Sequence, residues 1–155
     1  MRLEYFQLID EIVNVQPAQG VIRAHAAVPG ESTIFEGHFP GHPLMPGVLL
    51  IEAMAQTSGY LLLSLNGFER MPFLAGVREA KLRAFVAPAE TLEIEARLEH
   101  DGSGYAMTKA MIRRQGKTVC DARLTFRVVP FPAPEMRATM LAHAARLGMV
   151  HDTTS

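Results

Sequence analysis

The chain has 155 residues, 48% of them hydrophobic and 20% charged, with a formal net charge of −1 and one cysteine. Such a balance describes a single soluble domain with an ordinary core, and it excludes the strongly basic footprint of broad nucleic-acid binding. A lone thiol, Cys120, excludes an intrachain disulfide or a cysteine-based zinc site and fits a reducing compartment without requiring one. The start, Met1-Arg2-Leu3-Glu4-Tyr5, has no charged segment followed by an apolar one, so no signal peptide is expected.

Taken in chain order, Leu3 to Val15 reads equally as a short helix or a strand, and Val21 to Val28 as a strand. A loop rich in Pro and Gly follows, and then Val48 to Leu65 forms one long apolar helix. Its length tempts a membrane reading, but it carries Glu52, Gln56, Ser58 and Ser64, and a carboxylate deep in hydrocarbon is costly. A helix apolar on nearly all sides is also what the centre of a soluble protein requires, and no membrane insertion is expected. Phe73 to Val86 reads as a strand whose partner its pattern does not reveal. From Thr91 to Glu99, apolar Leu92, Ile94, Ala96 and Leu98 alternate with charged residues, the signature of a half-buried strand. Asp101-Gly102-Ser103-Gly104 and Gln115-Gly116-Lys117 supply turns around a second strand, Tyr105 to Arg113. A third places Cys120, Ala122, Leu124, Phe126 and Val128 on one face, completing an antiparallel meander. Pro130, Pro132 and Pro134 stop that strand, and Glu135 to Gly148 reads as a terminal helix with Met136, Met140, Ala144 and Leu147 on one stripe. It is expected to pack on the core rather than to act as a lid. The order of elements implies an α+β fold in which a sheet covers one long helix.

The chemistry concentrates in the run Gly37-His38-Phe39-Pro40-Gly41-His42-Pro43-Leu44-Met45-Pro46-Gly47, which leads directly into the helix carrying Glu52 and Gln56. An imidazole titrates near operating pH, and a carboxyl in an apolar helix is expected to be raised by desolvation and held protonated. Gly47 stands at a helix start, where unpaired N–H groups and a partial positive charge can hold an oxyanion, and it lets a ligand approach the backbone. Gln56 lies one turn beyond Glu52 on the same face. On these residues alone, a structural acid bonded by Gln56 and a histidine tying down its loop are equally good readings.

The string GHFPGHPLMPGVLLIEAMAQ resembles the signature of the bacterial (3R)-hydroxyacyl-acyl-carrier-protein dehydratases of the FabZ type, and the similarity extends from about Leu8 to Val129. The resemblance implies a hotdog fold, with an antiparallel sheet wrapped around the long helix, a core over about residues 8–130, and a C-terminal helical extension over about 134–148 that exceeds the usual family length. It implies His38 and Glu52 as the catalytic pair, Gly47 as the amide that holds the thioester carbonyl, Gln56 as the residue orienting the carboxylate, and Phe39 among the substrate-binding residues. In that family the histidine and the carboxylate of one site come from different protomers, so a homodimer or a trimer of dimers is implied. Close relatives that also isomerise the double bond usually have aspartate at position 52, so Glu52 favours simple dehydration.

No cofactor is expected; the substrate would arrive on the phosphopantetheine arm of an acyl carrier protein, in the cytoplasm. Met54, Tyr60, Leu61, Phe39, Phe73 and Leu74 are candidates for lining an acyl tunnel, and Arg78, Lys81 and Arg83 for a basic rim facing the acidic carrier. His38 and His42 are four apart, but Pro40 and Gly41 between them oppose a helix, and no metal is expected. His42 reads as a surface residue, and His25, His100, His143 and His151 have no catalytic context. The start Leu3-Glu4-Tyr5-Phe6 departs from the family's usual Pro-His-Arg-Tyr-Pro element, which bears on tunnel gating. Two alternatives remain, a hotdog thioesterase and a non-catalytic acyl-binding protein. The HFPGHP loop argues against the first, and the presence of both His38 and Glu52 against the second.

Overall fold

The structure, a computed structural model, describes residues 1–149; His151 lies outside them. Strands β1 (Glu11–Gln16) and β2 (Val21–Ala27) lead to a short helix α1 (Thr33–Gly37) and the long helix α2 (Gly47–Leu65). Strands β3 (Arg70–Leu82), β4 (Thr91–Gly102), β5 (Tyr105–Arg114) and β6 (Lys117–Pro130) follow, and helix α3 (Pro134–Arg146) ends the description. The ambiguous amino-terminal stretch divides into a 3-10 turn at Leu3–Tyr5 and the strand β1. Helix α1 has no apolar period long enough to reveal it. It is set instead by its cap, where the Ser32 hydroxyl accepts the Ile34 N–H at 3.1 Å.

All six strands join one antiparallel sheet in the order β1-β2-β4-β5-β6-β3. The alternation read from β4 and β6 is realised: Leu92, Ile94, Ala96, Cys120, Ala122, Leu124 and Phe126 all turn inward and are buried. Register shifts in β1, β3, β4 and β6 bend these strands, and such bulges increase local twist, which lets the sheet curl around α2. Helix α2 is long and apolar enough by length and composition to cross a membrane. Its apolarity is accounted for here by burial: Leu50, Ala53, Met54, Leu61, Leu62 and Leu63 are almost wholly enclosed. This is the hotdog arrangement, with α3 added.

The two sheet edges differ. The β1 edge is partly covered, since Ile12 donates its N–H to the Leu147 carbonyl at the end of α3 (2.8 Å). The strand expected over Phe73 to Val86 runs instead from Arg70 to Leu82, pairs only with β6, and leaves its other edge open among the described residues. Phe73, Leu74, Val77 and Leu82 are exposed along it. A long open edge bearing apolar side chains is a template for pairing with another chain.

The buried hydroxyls of Thr57 and Ser58 on α2 are answered locally. Ser58 and Thr108, both fully buried, share a hydrogen bond of 2.8 Å between α2 and β5, and the Thr57 hydroxyl donates to the Ala53 carbonyl at 2.9 Å. The Cys120 thiol is buried, and burial with the neighbouring Asp121 charge pushes it up to about 12, which makes it an inert core group. Removing one member of the hydroxyl pair strands the other without water. Ser58→Ala is therefore expected to destabilise the protein by about 1–3 kcal/mol in urea unfolding, and Ser58→Ala with Thr108→Val to recover part of that loss. Equal stability of Ser58→Ala and the parent would show that the pair carries no weight.

Candidate active site

The loop between α1 and α2 is built by its own backbone. Phe39 and His42 exchange N–H···O bonds of 3.0 and 2.8 Å across Pro40-Gly41, with Gly41 at φ +74°, a value that favours glycine. The Leu44 N–H donates to the His38 carbonyl (2.9 Å), and the Met45 N–H to the Val86 carbonyl (2.8 Å), which ties the loop to the segment after β3. The half-buried His38 is held in this frame, with its ring stacked on Phe39 at 4.1 Å between centroids.

His38 Nδ1 lies 3.0 Å from the Leu44 carbonyl. A carbonyl only accepts, so Nδ1 carries the proton and Nε2 of the neutral ring keeps its lone pair. The loop thereby selects the tautomer that a base at Nε2 requires. His42 is exposed, as its reading implied, and does not share a helix with His38.

Helix α2 opens at Gly47, with Pro46 as its N-cap. Amides in the first turn have no intrahelical acceptor, so the Gly47 N–H is open to a ligand. A methyl group at this position would collide with the Leu82 side chain, so the end of β3 closes directly on the helix start.

One turn into α2, the half-buried Glu52 opens on a cavity of about 600 Å³ between α2, the amino-terminal segment, β3 and α3. Gln56 fixes its orientation. Gln56 Oε1 accepts the Leu8 N–H (3.1 Å), which directs Nε2 to the Phe6 carbonyl (2.7 Å) and to Glu52 Oε1 (3.2 Å). One glutamine thus holds the carboxylate and pins the amino-terminal segment over the cavity. Glu4 supports the same segment by accepting from the Ser32 hydroxyl (2.6 Å) and the Thr33 N–H (3.1 Å), bonds that hold its carboxyl at about 2.

Several expectations change. The apolar enclosure foreseen for Glu52 is incomplete within one chain, because its side of α2 faces the cavity and not the sheet. His38, Phe39 and Gly47 do not line that cavity: the chain brings Glu52 and Gln56 together in one place and His38 with Phe39 in another. Phe39 is half exposed. Of the tunnel candidates, Tyr60, Phe73 and Leu74 line the cavity, whereas Met54 and Leu61 are buried core because they point into the sheet. Arg78, Lys81 and Arg83 do not border it. They follow the open β3 edge, and Arg83 pairs with Asp121 at 2.7 Å. Helix α3, expected only to pack, places Met140, His143, Arg146 and Leu147 on the cavity wall. Neither α3 nor Tyr5 and Phe6 carries a motif; only the long-range bonds of Gln56 reveal why the amino-terminal pair sits there.

A family model described as FabA-like domain matches residues 2–123. A 3-hydroxyacyl-[acyl-carrier-protein] dehydratase FabZ of Latilactobacillus sakei is 42% identical over 120 residues, covering 77% of this chain and 85% of that protein. The protein of the same name in Ligilactobacillus salivarius is 38% identical over 122 residues, covering 78% and 86%. Among solved structures, a conserved protein of Pseudomonas aeruginosa superposes with a TM-score of 0.65 at 22% identity, covering 81% of this chain and 91% of its own. A hypothetical thioesterase of Streptococcus pneumoniae, solved with coenzyme A, gives 0.63 at 19% identity, covering 77% and 85%; at such identities these two speak for the fold alone. By the extent of the family model and the identity to the FabZ dehydratases, the chain belongs to the FabA-like family.

Proposed function

We propose that this protein removes water from a (3R)-hydroxyacyl-acyl-carrier-protein to give the trans-2-enoyl product, as a lyase of acyl-chain biosynthesis. The observation that carries the reading is the Glu52 carboxyl, fixed by Gln56 at the edge of a largely apolar cavity, in a chain 42% identical to a dehydratase of that name. His38 Nε2 takes the C2 proton, and Glu52 gives its proton to the departing C3 hydroxyl, which leaves as water. The Gly47 N–H receives the charge that develops on the thioester oxygen. A preorganised donor of that kind is typically worth about 3–4 kcal/mol in the transition state. The thioester comes on phosphopantetheine of an acyl carrier protein, no further cofactor takes part, and the reaction belongs to the cytoplasm. Nothing in the residues favours the thioesterase alternative, whose water would have to be activated toward the thioester carbonyl.

Because His38 does not border the cavity of its own Glu52, the working site joins the His38 loop of one protomer to the Glu52 cavity of its partner. The open β3 edge supports such a pairing. Its end at Leu82 meets Gly47, its start lines the Glu52 cavity, and beside it Val48 and Phe85 are 72% and 80% exposed. A second copy on that edge would cover these side chains, withdraw Glu52 further from water, and leave Phe39 beside the substrate.

With (3R)-hydroxyacyl-carrier-protein as substrate, formation of enoyl product without free thiol is the expected result; free thiol would mean thioester hydrolysis. His38→Ala and Glu52→Gln should each lower kcat by about 10²–10⁴-fold while leaving thermal unfolding unchanged. Near-parental rates in either would remove that residue from the chemistry. Mixing the two inactive variants, with subunit exchange verified by mass spectrometry, should restore activity in heterodimers that hold one intact pair. No recovery would contradict a shared site.

A further inference from the structure

The cavity is apolar over much of its wall, yet one part of it carries the polar side chains Tyr60, His143 and Arg146. Tyr60, two turns along α2 from Glu52 and so about 12 Å farther along the axis, lines the cavity while being only 6% exposed. Its hydroxyl makes no hydrogen bond to any described residue. The ring is buried while the hydroxyl reaches the open cavity, where it is free to bond a polar group that enters. Burial pushes this phenol above its ordinary value, and the Arg146 guanidinium, close enough to act on it, pulls the other way.

Arg146 lines the same cavity and has no carboxylate partner among the described residues. His143, one turn back on α3, lines it too; burial and then Arg146 hold its imidazole below the ordinary value, leaving it readily neutral. A second guanidinium on the wall, Arg2, lies over the Tyr5 ring at 4.3 Å and is likewise unpaired with an acid among those residues. Of the two carboxylates on the wall, Asp10 is already engaged by the Met1 amino group and the Ala27 N–H, and Glu52 is held by Gln56. Among the described residues, then, Arg2 and Arg146 stand on this wall without an acidic partner.

Helix α3 is anchored so that this wall holds its position. Near its start Arg137 donates to the Phe68 carbonyl just past α2 (2.8 Å), and at its end the Leu147 carbonyl accepts from Ile12 of β1. The family model ends at residue 123, so Arg146 and His143 come from a segment outside it.

We propose that Tyr60, Arg146 and His143 form a second polar subsite of the acyl cavity, and that it selects 3-hydroxyacyl thioesters whose chain ends in a carboxylate. The Tyr60 hydroxyl donates to one carboxylate oxygen, and Arg146, at the better-hydrated side, pairs with the group as a charge. Met140 and Leu147 enclose the methylenes between. This rests on the dehydratase reading above and narrows it to a class of acyl chain.

The test compares kcat/KM for carrier-bound (3R)-3-hydroxyacyl substrates of matched length that end in a methyl group or in a carboxylate. The parent is expected to favour the carboxylate at least about tenfold at its best length. Tyr60→Phe and Arg146→Gln should bring that ratio toward one, Arg146→Glu should invert it, and Arg146→Lys should retain part of it. A purely structural role would alter both substrates together and leave the ratio in place. Dehydration of the methyl-ended chains with equal or better efficiency, or a ratio unmoved by the Arg146 series, overturns the subsite and leaves the dehydratase reading standing. Dehydration of neither class overturns both.

Discussion

Everything in this molecule follows from α2 being apolar on nearly every side. Its 19 residues include one charged side chain, Glu52, so the helix is stable only when enclosed. The sheet does this by curling, and its register shifts are the local device. Once the helix is enclosed, its polar side chains away from the cavity mouth are answered from within the protein. Thr57 bonds to its own helix, Ser58 to Thr108, and Gln56 to the amino-terminal segment and to Glu52. The side of α2 that the sheet leaves uncovered is lined by β3, α3 and residues 2–10, and there the cavity lies.

That arrangement separates the tasks of the site. The His38 loop takes its shape from backbone bonds at Phe39–His42, Leu44 and Met45, and the same bonds set the imidazole tautomer. Glu52 is placed by a different set of forces: the burial of its neighbours Ala53 and Ala55, and the amide of Gln56. Each half is held by its own hydrogen bonds, yet within one chain they do not meet on a common cavity. The unpaired β3 edge runs between them, touching Gly47 at one end and the cavity at the other. Assembly along this edge would complete the site and bury the exposed apolar side chains in one step.

The period-two patterns of β4 and β6 and the all-round apolarity of α2 made the sheet and its central helix legible, because burial on one face or on all faces writes itself directly into sequence. The build of the loop was legible for another reason: His38, the prolines and Gly47 lie within ten positions and are set by local backbone geometry. The β3 boundaries were harder to read, since an edge strand buries little and its alternation is weak. Arg78, Lys81 and Arg83 attract attention as charges, but charge alone does not say which surface it occupies. What joins α3 to the cavity lies in bonds between distant positions, Arg137 with Phe68 and Leu147 with Ile12. Tyr60 is a tunnel candidate from sequence, but only the packing of α2 against α3 shows that its hydroxyl opens on the cavity.

The central claim, that an imidazole and a carboxyl from two copies flank one substrate, is tested most directly by a structure of the assembled protein with a non-reacting 3-hydroxyacyl thioester analogue bound. The account predicts His38 Nε2 of one protomer within hydrogen-bonding reach of C2, the Glu52 carboxyl of the other at the C3 oxygen, and little water between them. An assembly in which every His38 stands remote from every Glu52, or in which the analogue lies elsewhere, would contradict it.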